Sequence, residues 1–269
     1  MSTVRILLVG DLVGKTGRAL FARHIQTIRN KYKIDGVIVN GENASRGKGI
    51  TPKVMEFFKE QRVDMVTSGN HIWDRREIIP YFNDHTDLLR PANYPTSCPG
   101  KGIGFFTCKG FTIAVINIMG QVFMRQSLDS PFKSAESLVQ FARTKTPLIF
   151  IDMHAETTAE KLGLGFYLDG KVSAVVGTHT HVQTNDARIL AQGTAYITDL
   201  GMGGSLNSMI GVKKESPIHN FLTQMPVRHE VETVAPYVLS AVVVEANTLS
   251  GKALSIETIY LVDDQELAL

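Results

Sequence analysis

Short apolar runs alternate with amphipathic stretches through the first 90 residues, and nearly every run ends in a polar cluster. Residues 4–9 are apolar apart from Arg5, as expected for a strand covered on both faces, and stop at Gly10-Asp11. Residues 16–32 then space Leu20, Ile25 and Ile28 among Arg, Lys and Gln, which is helical periodicity. A second strand, 36–40, ends in Gly41-Glu42-Asn43-Ala44 and the glycine-rich Arg46-Gly47-Lys48-Gly49. Residues 51–61 read as an amphipathic helix with Val54, Phe57 and Phe58 inward and Lys53, Glu56, Lys59 and Glu60 outward. A third strand, 64–67, runs into Ser68-Gly69-Asn70-His71-Ile72-Trp73-Asp74, with Asp74 placed to cap a helix over 75–81.

Beyond the proline-rich connector at 90–95 the pattern changes. Two runs, 102–108 and 111–117, flank Lys109-Gly110 and predict an antiparallel hairpin. Residues 131–143 and 159–166 predict helices, and the strand 147–152 between them leads to His154. The run 172–176 ends in Gly177-Thr178-His179-Thr180-His181, and a further strand at 193–199 precedes a glycine-rich loop, Met202-Gly203-Gly204. Two last strands, 237–245 and 252–260, flank another hairpin signal. Helix-flanked strands followed by antiparallel hairpins predict an α/β fold with two sheets packed face to face. No repeat, linker or low-complexity tract interrupts residues 1–269, so one domain is expected.

Composition narrows the function classes. The 269 residues carry a formal net charge of +2 with acids and bases interspersed, which argues against duplex nucleic acid as a partner. Any nucleic-acid substrate would be small or locally read. The two cysteines, Cys98 and Cys108, form no CxxC pair and read as thiols in a reducing compartment. No apolar stretch approaches the roughly 20 residues a membrane span needs, and the first run is too short for a secretion signal, so a cytoplasmic protein without membrane contact is expected. Gly10 to Thr16 follows a strand and closes with Gly-Lys-Thr, but a P-loop needs four residues between its first Gly and the Gly-Lys pair, and three stand here.

The strand ends collect Asp11, Glu42, Asn43, Asn70, His71, His154, His179 and His181. Functional residues gather at strand ends in sheets covered by helices, so five strands each delivering a ligand type describe a site. Six or more oxygen and nitrogen ligands without a thiolate suit two divalent ions of intermediate hardness, Mn(II), Fe(II) or Zn(II), with Mg(II) also compatible. Two such ions roughly 3.5–4 Å apart can share a carboxylate, activate a hydroxide and polarise a phosphoryl oxygen, which makes phosphoester hydrolysis the natural chemistry.

Gly10-Asp11, Gly69-Asn70-His71, a lone His154 after a strand and Gly177-Thr178-His179-Thr180-His181 resemble the calcineurin-like metallophosphoesterases. Val13 stands where that family's first motif has a histidine, and Gly41-Glu42-Asn43 replaces its second motif. Both departures match one subfamily, the bacterial YmdB-like phosphodiesterases, as do Ile72-Trp73-Asp74, residues 90–95, His154-Ala155-Glu156, 177–184 and 194–199. The resemblance spans about residues 5–261. It implies a four-layer α/β/β/α sandwich of two mixed sheets and a 2′,3′-cyclic nucleotide phosphodiesterase with activity on simple phosphodiesters. It also implies one metal on Asp11, Glu42, Asn43 and His181 and another on Glu42, Asn70, His154 and His179, with Glu42 bridging. His71, left without a metal, can protonate the poor alkoxide leaving group as general acid, and Asn43 and His71 are expected to contact substrate phosphate. Met119, Phe123 and Met124, or residues 202–206, are candidates for the nucleotide pocket. His24, His85, His219 and His229 read as solvated surface. A broader phosphomonoesterase, or a regulatory protein whose site controls a protein partner, keeps the same ligands; the sequence leaves these readings and a homo-oligomer open.

Overall fold

The computed structural model describes residues 2–269. The chain runs β1 (Thr3–Val9), β2 (Asp11–Leu12), α1 (Gly14–Tyr32), β3 (Gly36–Asn40), α2 (Pro52–Glu60) and β4 (Met65–Thr67). A 3-10 turn at Arg76–Ile78 and the short α3 (Tyr81–Asp84) lead to the hairpin β5 (Ile103–Cys108) and β6 (Phe111–Met119). Then follow α4 (Pro131–Arg143), β7 (Ile149–His154), α5 (Thr158–Tyr167), β8 (Ala174–Thr178), β9 (Arg188–Ile189), β10 (Ala195–Ile197) and β11 (Met202–Ser205). The chain closes with α6 (Glu215–Thr223), β12 (Tyr237–Asn247) and β13 (Ala253–Asp263).

Both sheets are mixed, as expected. In the first, β1 pairs in parallel with β3 and β3 with β4, while β12 runs antiparallel on the other side of β1. The same edge of β12 is shared: β1 covers Ala241 to Asn247 and β11 takes over at Leu239. β13 pairs with the opposite edge of β12. The second sheet has the order β5-β6-β7-β8-β10-β9, with β6, β7, β8 and β10 parallel.

Alternation along the strands makes four layers, because successive side chains point to opposite faces. Ile6 and Leu8 of β1 face Val115, Phe150 and Val176 of the second sheet in a buried seam between the sheets. Leu7 and Val9 face outward onto Leu20, Phe21, Ile25 and Ile28 of α1, joined by Val54 and Phe58 of α2. On the far side, Ile116, Ile149 and Ile151 meet Ala135 and Val139 of α4 and Leu164 of α5. Thr51 caps α2, its hydroxyl accepting the Val54 N–H at 3.2 Å ahead of Pro52, so the helix starts where proline costs nothing.

Four local expectations differ. Asp74 caps no helix; its carboxylate turns back to the His71 imidazole, and only the 3-10 turn and α3 form in that region. Phe57 is half-buried rather than inward, and Met55 takes the inward place. Residues 202–205 form a strand, not a loop, because Gly203 and Gly204 fill the ladder opposite Leu239 and Val238. His24 and His85 are not free surface groups: His24 Nε2 lies 2.7 Å from Asp263 Oδ2, and His85 stacks on Tyr81 at 3.8 Å.

Candidate functional site

β1, β3, β4, β7 and β8 all finish at one end of the sandwich, and the residues that follow them converge there. Asp11 is fixed in β2 by its N–H to the Gly201 carbonyl at 3.0 Å. Glu42 and Asn43 follow β3, Asn70 and His71 follow β4, His154 is the last residue of β7, and His179 and His181 follow β8. Asp11, Glu42, Asn43 and His154 are buried, His154 and Asp11 completely. His179 and His181 adopt φ of 100° and 65°, a backbone region that residues with side chains rarely enter, and such strain persists where the surroundings enforce it.

Two subsites are visible. At one, His154 Nε2 lies 3.2 Å from Glu42 Oε1, 2.9 Å from Asn70 Oδ1 and 3.1 Å from His179 Nδ1. At the other, His181 Nε2 lies 2.9 Å from Asn43 Nδ2 and 3.7 Å from Asp11 Oδ1, while Asn43 Nδ2 reaches Glu42 Oε1 at 3.3 Å. Glu42 therefore touches both. Its second oxygen accepts the His71 N–H at 3.2 Å.

The far side of each imidazole is occupied. His181 Nδ1 donates to the Ile210 carbonyl at 2.7 Å. His179 Nε2 lies 3.1 Å from Glu156 Oε2. His154 Nδ1 meets Thr178 Oγ1 at 2.9 Å, and that hydroxyl donates to Asp152 Oδ1 at 2.7 Å, so it accepts from the imidazole. Each ring thus spends one N–H on a protein acceptor and aims the other nitrogen inward, which is how metal-ligating histidines are oriented. Asp152 is itself held by Asn40 at 3.0 Å and by the Thr67 hydroxyl.

The electrostatics fit a cation. Burial opposes a charge on Glu42, but the facing His154 outweighs it and takes the carboxyl down to about 2. Burial likewise opposes a charge on His154, and Glu42 outweighs it, raising the imidazole to about 9. Burial and the neighbouring His154 push His179 down to about 3, leaving it neutral. Asp11 is raised to about 7 by burial, and its Oδ1 is a buried oxygen with no hydrogen-bond partner. A Cβ on Gly69 would stand 2.3 Å from His154 Nε2 and 2.4 Å from Glu42 Oε2, so the chain keeps that volume clear. An orphaned carboxylate oxygen, inward imidazoles and an all O/N donor set are what a divalent ion would complete. Asn43 would ligate through its oxygen, which requires the amide to turn over from the orientation donated to His181.

His71 stands apart from the inward nitrogens. Its Nδ1 donates to Asp74 Oδ2 at 2.9 Å, and the ring is partly exposed. The pocket-lining expectations divide: Met119 is fully buried, Phe123 is 86% exposed, and Met202 lies in β11. Met124 lines a cavity of about 240 Å³ with Gln121, Arg125 and Gln126. Gln126 Nε2 reaches the Asn70 carbonyl at 3.4 Å.

Several supporting residues lie outside the motifs that the sequence singles out. Asp152 is a charge inside an apolar strand, two residues before His154. Lys161 Nζ and Asp199 Oδ2 form a completely buried ion pair at 2.7 Å. Asp199 also accepts the Thr180 N–H at 3.1 Å and the Gly201 N–H at 2.8 Å, which ties the histidine turn to the loop before β11.

Comparison with known proteins establishes the family and the fold. The family described as YmdB-like protein matches residues 7–259. A Bacillus subtilis protein named 2′,3′-cyclic-nucleotide 2′-phosphodiesterase is 47% identical over 261 residues, covering 97% of this chain and 98% of its own. A structure described as a novel phosphatase of Mycoplasma pneumoniae superposes with a TM-score of 0.92 at 35% identity, over 98% of this chain and 95% of that one. A hypothetical protein of Thermus thermophilus gives 0.89 at 36% identity, over 97% and 100%. With its four-layer sandwich and a family match over nearly its whole length, the chain belongs to the YmdB-like protein family.

Proposed function

We propose that the protein is a dinuclear-metal phosphodiesterase that hydrolyses 2′,3′-cyclic nucleotides, breaking the bond to the 2′-oxygen as the Bacillus subtilis relative's name describes for that enzyme. The observation that carries this is the orientation of His154, His179 and His181: each ties one ring nitrogen to a protein acceptor and aims the other at Glu42, Asn70, Asn43 or Asp11. Asp11, Glu42, Asn43 and His181 would hold one ion, and Glu42, Asn70, His154 and His179 the other, with Glu42 common to both. Bound there, divalent ions supply Lewis-acid charge to a phosphoryl group and lower the pKa of water. Manganese, iron and zinc all suit the donor set.

The chain's own residues supply orientation and protons. Asp74 fixes the His71 ring through Nδ1, leaving Nε2 to hand its proton to the departing 2′-oxygen as the P–O2′ bond breaks and water's oxygen bonds to phosphorus. The His71 N–H to Glu42 keeps the imidazole beside the ligand cluster. Asn43 would contact the phosphate as well as a metal. With Cys98 and Cys108 both free, the setting we assign is the cytoplasm.

The test is turnover of 2′,3′-cyclic AMP and 3′,5′-cyclic AMP by Mn(II)-loaded protein, metal-stripped protein and His71→Ala. Metal-dependent turnover of the 2′,3′ substrate is expected, with kcat about 10²–10⁴-fold lower in the variant while its metal content is unchanged. A protein that holds two metals and turns over neither substrate would overturn the assignment.

A further inference from the structure

Beside the ligand cluster runs an open groove of about 1270 Å³ that the phosphodiesterase reading leaves unused. Its walls are the start of α1, Ser45 and Arg46, α2, Arg75 and Glu77 beyond His71, and the segment 228–233. Small-ligand pockets occupy roughly 300–1,000 Å³, so this groove exceeds what one mononucleotide needs. Lys15, Arg18, Arg46, Lys53, Arg75 and Arg228 line it. None of these six is paired with a carboxylate among the described residues. Glu56, Glu60, Glu77 and Glu230 also lie along it, but Glu230 is neutralised by Lys213 at 3.0 Å. Within the groove the Arg18 guanidinium lies over the half-buried Phe57 ring, 5.8 Å from its centre, and donates to the Ala44 carbonyl.

The groove shares no lining residue with the candidate site but adjoins it through three chain segments. The Asn43 carbonyl accepts the Gly14 N–H at 2.9 Å, next to Lys15, and Ser45, two residues after Asn43, is in the groove wall. His71 leads through Asp74 to Arg75, whose Nε donates to the Lys48 carbonyl at 3.2 Å. His181 reaches the Ile210 carbonyl, and two residues on Val212 bridges Val231 of the groove wall. Three separate segments therefore pass directly from the ligand cluster to the cationic groove.

We propose that the groove binds the sugar–phosphate chain of single-stranded RNA, so that an oligoribonucleotide ending in a 2′,3′-cyclic phosphate is a substrate and its upstream nucleotides lie along Lys15, Arg18, Lys53 and Arg228. Cations without carboxylate partners, set along a groove that can track a backbone, are the electrostatic element by which single strands are held without sequence preference. A protein partner with an acidic segment would match the charge but not the continuity with a phosphodiester site. The reaction is the one already described: water's oxygen bonds to phosphorus, the P–O2′ bond breaks, and the 2′-oxygen takes a proton. The substrate claim rests on the phosphodiesterase reading; the binding claim does not.

Two measurements on the full chain separate them. Fluorescence anisotropy reads binding of a short labelled oligoribonucleotide with a 3′-phosphate, the product end of the proposed reaction, with polyglutamate as competitor. Steady-state kinetics compares 2′,3′-cyclic AMP with the same strand ending in a 2′,3′-cyclic phosphate. The double variant Lys53→Glu/Arg228→Glu is expected to weaken strand binding about tenfold and flatten its salt dependence. It should raise KM for the strand by a similar factor and leave turnover of cyclic AMP unchanged. Absence of strand binding, binding indifferent to the double variant, or displacement by polyglutamate as effective as by RNA would each overturn the groove. Strand binding sensitive to the variant, in a protein that turns over neither substrate, would support the groove and overturn the phosphodiesterase reading alone.

Discussion

Gly69 is the residue whose smallness the site uses most directly. A methyl group there would sit within 2.4 Å of both His154 and Glu42, two buried side chains that cannot swing away because each is held at its far end or by its neighbour. Gly69→Ala is therefore expected to leave the fold intact by far-ultraviolet circular dichroism and to lose bound metal and activity together. Metal content by mass spectrometry is the deciding measurement, and full occupancy in the variant would show that the volume is not needed. Such close approach of backbone to functional atoms is a use of glycine that its turn-forming reputation hides.

At the scale of elements, the turn after β8 depends on α5. Lys161 on that helix reaches Asp199, and Asp199 in turn holds the backbone N–H groups of Thr180 and Gly201, so one buried ion pair fixes the segment between the two strained histidines and the approach to β11. Breaking such a pair from one side leaves an uncompensated buried charge. Lys161→Met should therefore cost about 3–5 kcal/mol in urea unfolding. A loss below about 1 kcal/mol would mean that Asp199 finds another partner.

The same elements show what the sequence makes legible. Apolar runs with polar ends locate β1, β3, β4, β7 and β8, and therefore the converging ligands, because a strand buried on both faces leaves a continuous hydrophobic record. β11 leaves none. Its Met-Gly-Gly-Ser composition reads as a loop, yet it is a strand because α1 and β11 approach at backbone distance: a Cβ on Gly17 would meet the Gly203 carbonyl at 2.3 Å. Lys161 is hidden for the complementary reason, since a lysine on an amphipathic helix ordinarily faces water and its partner lies 38 residues away. Asp74 reads in the sequence as a helix cap and not as the partner of His71, because side-chain hydrogen bonds across a turn compete with helix capping.

For the whole molecule, the closing strand is anchored to the first helix through Asp263. Burial resists its charge, but the Gln265 N–H, His24 and Arg23 overcome this and hold the carboxyl at about 2. Its pKa is depressed on folding, so the unfolded chain binds the proton more tightly: the stabilisation is present above the ordinary carboxyl value near 4 and is lost as pH falls from there towards about 2. Arg23 and His24 are partly exposed, and screening limits the contribution to about 1 kcal/mol. Asp263→Asn should be less stable than the parent by that amount at pH 7, with the gap closing in acid; an equal gap at pH 2.5 in thermal unfolding would refute the linkage.

The shared edge of β12 bears on how the protein is made. β1 is synthesised long before β12, its neighbour on one side, the register running from Thr3↔Asn247 to Val9↔Ala241, and Asp11 is set against Gly201 and Met202. Until β12 begins at Tyr237 one edge of β1 stays unpaired, and the seam between the sheets lacks Val242, Val244 and Ala246. Glu42, Asn70, His154 and the histidine turn can gather earlier, on β3, β4, β7 and β8. The nascent chain thus carries most of its ligand types long before β1 gains its second neighbour, and maturation of the centre waits for synthesis of β12.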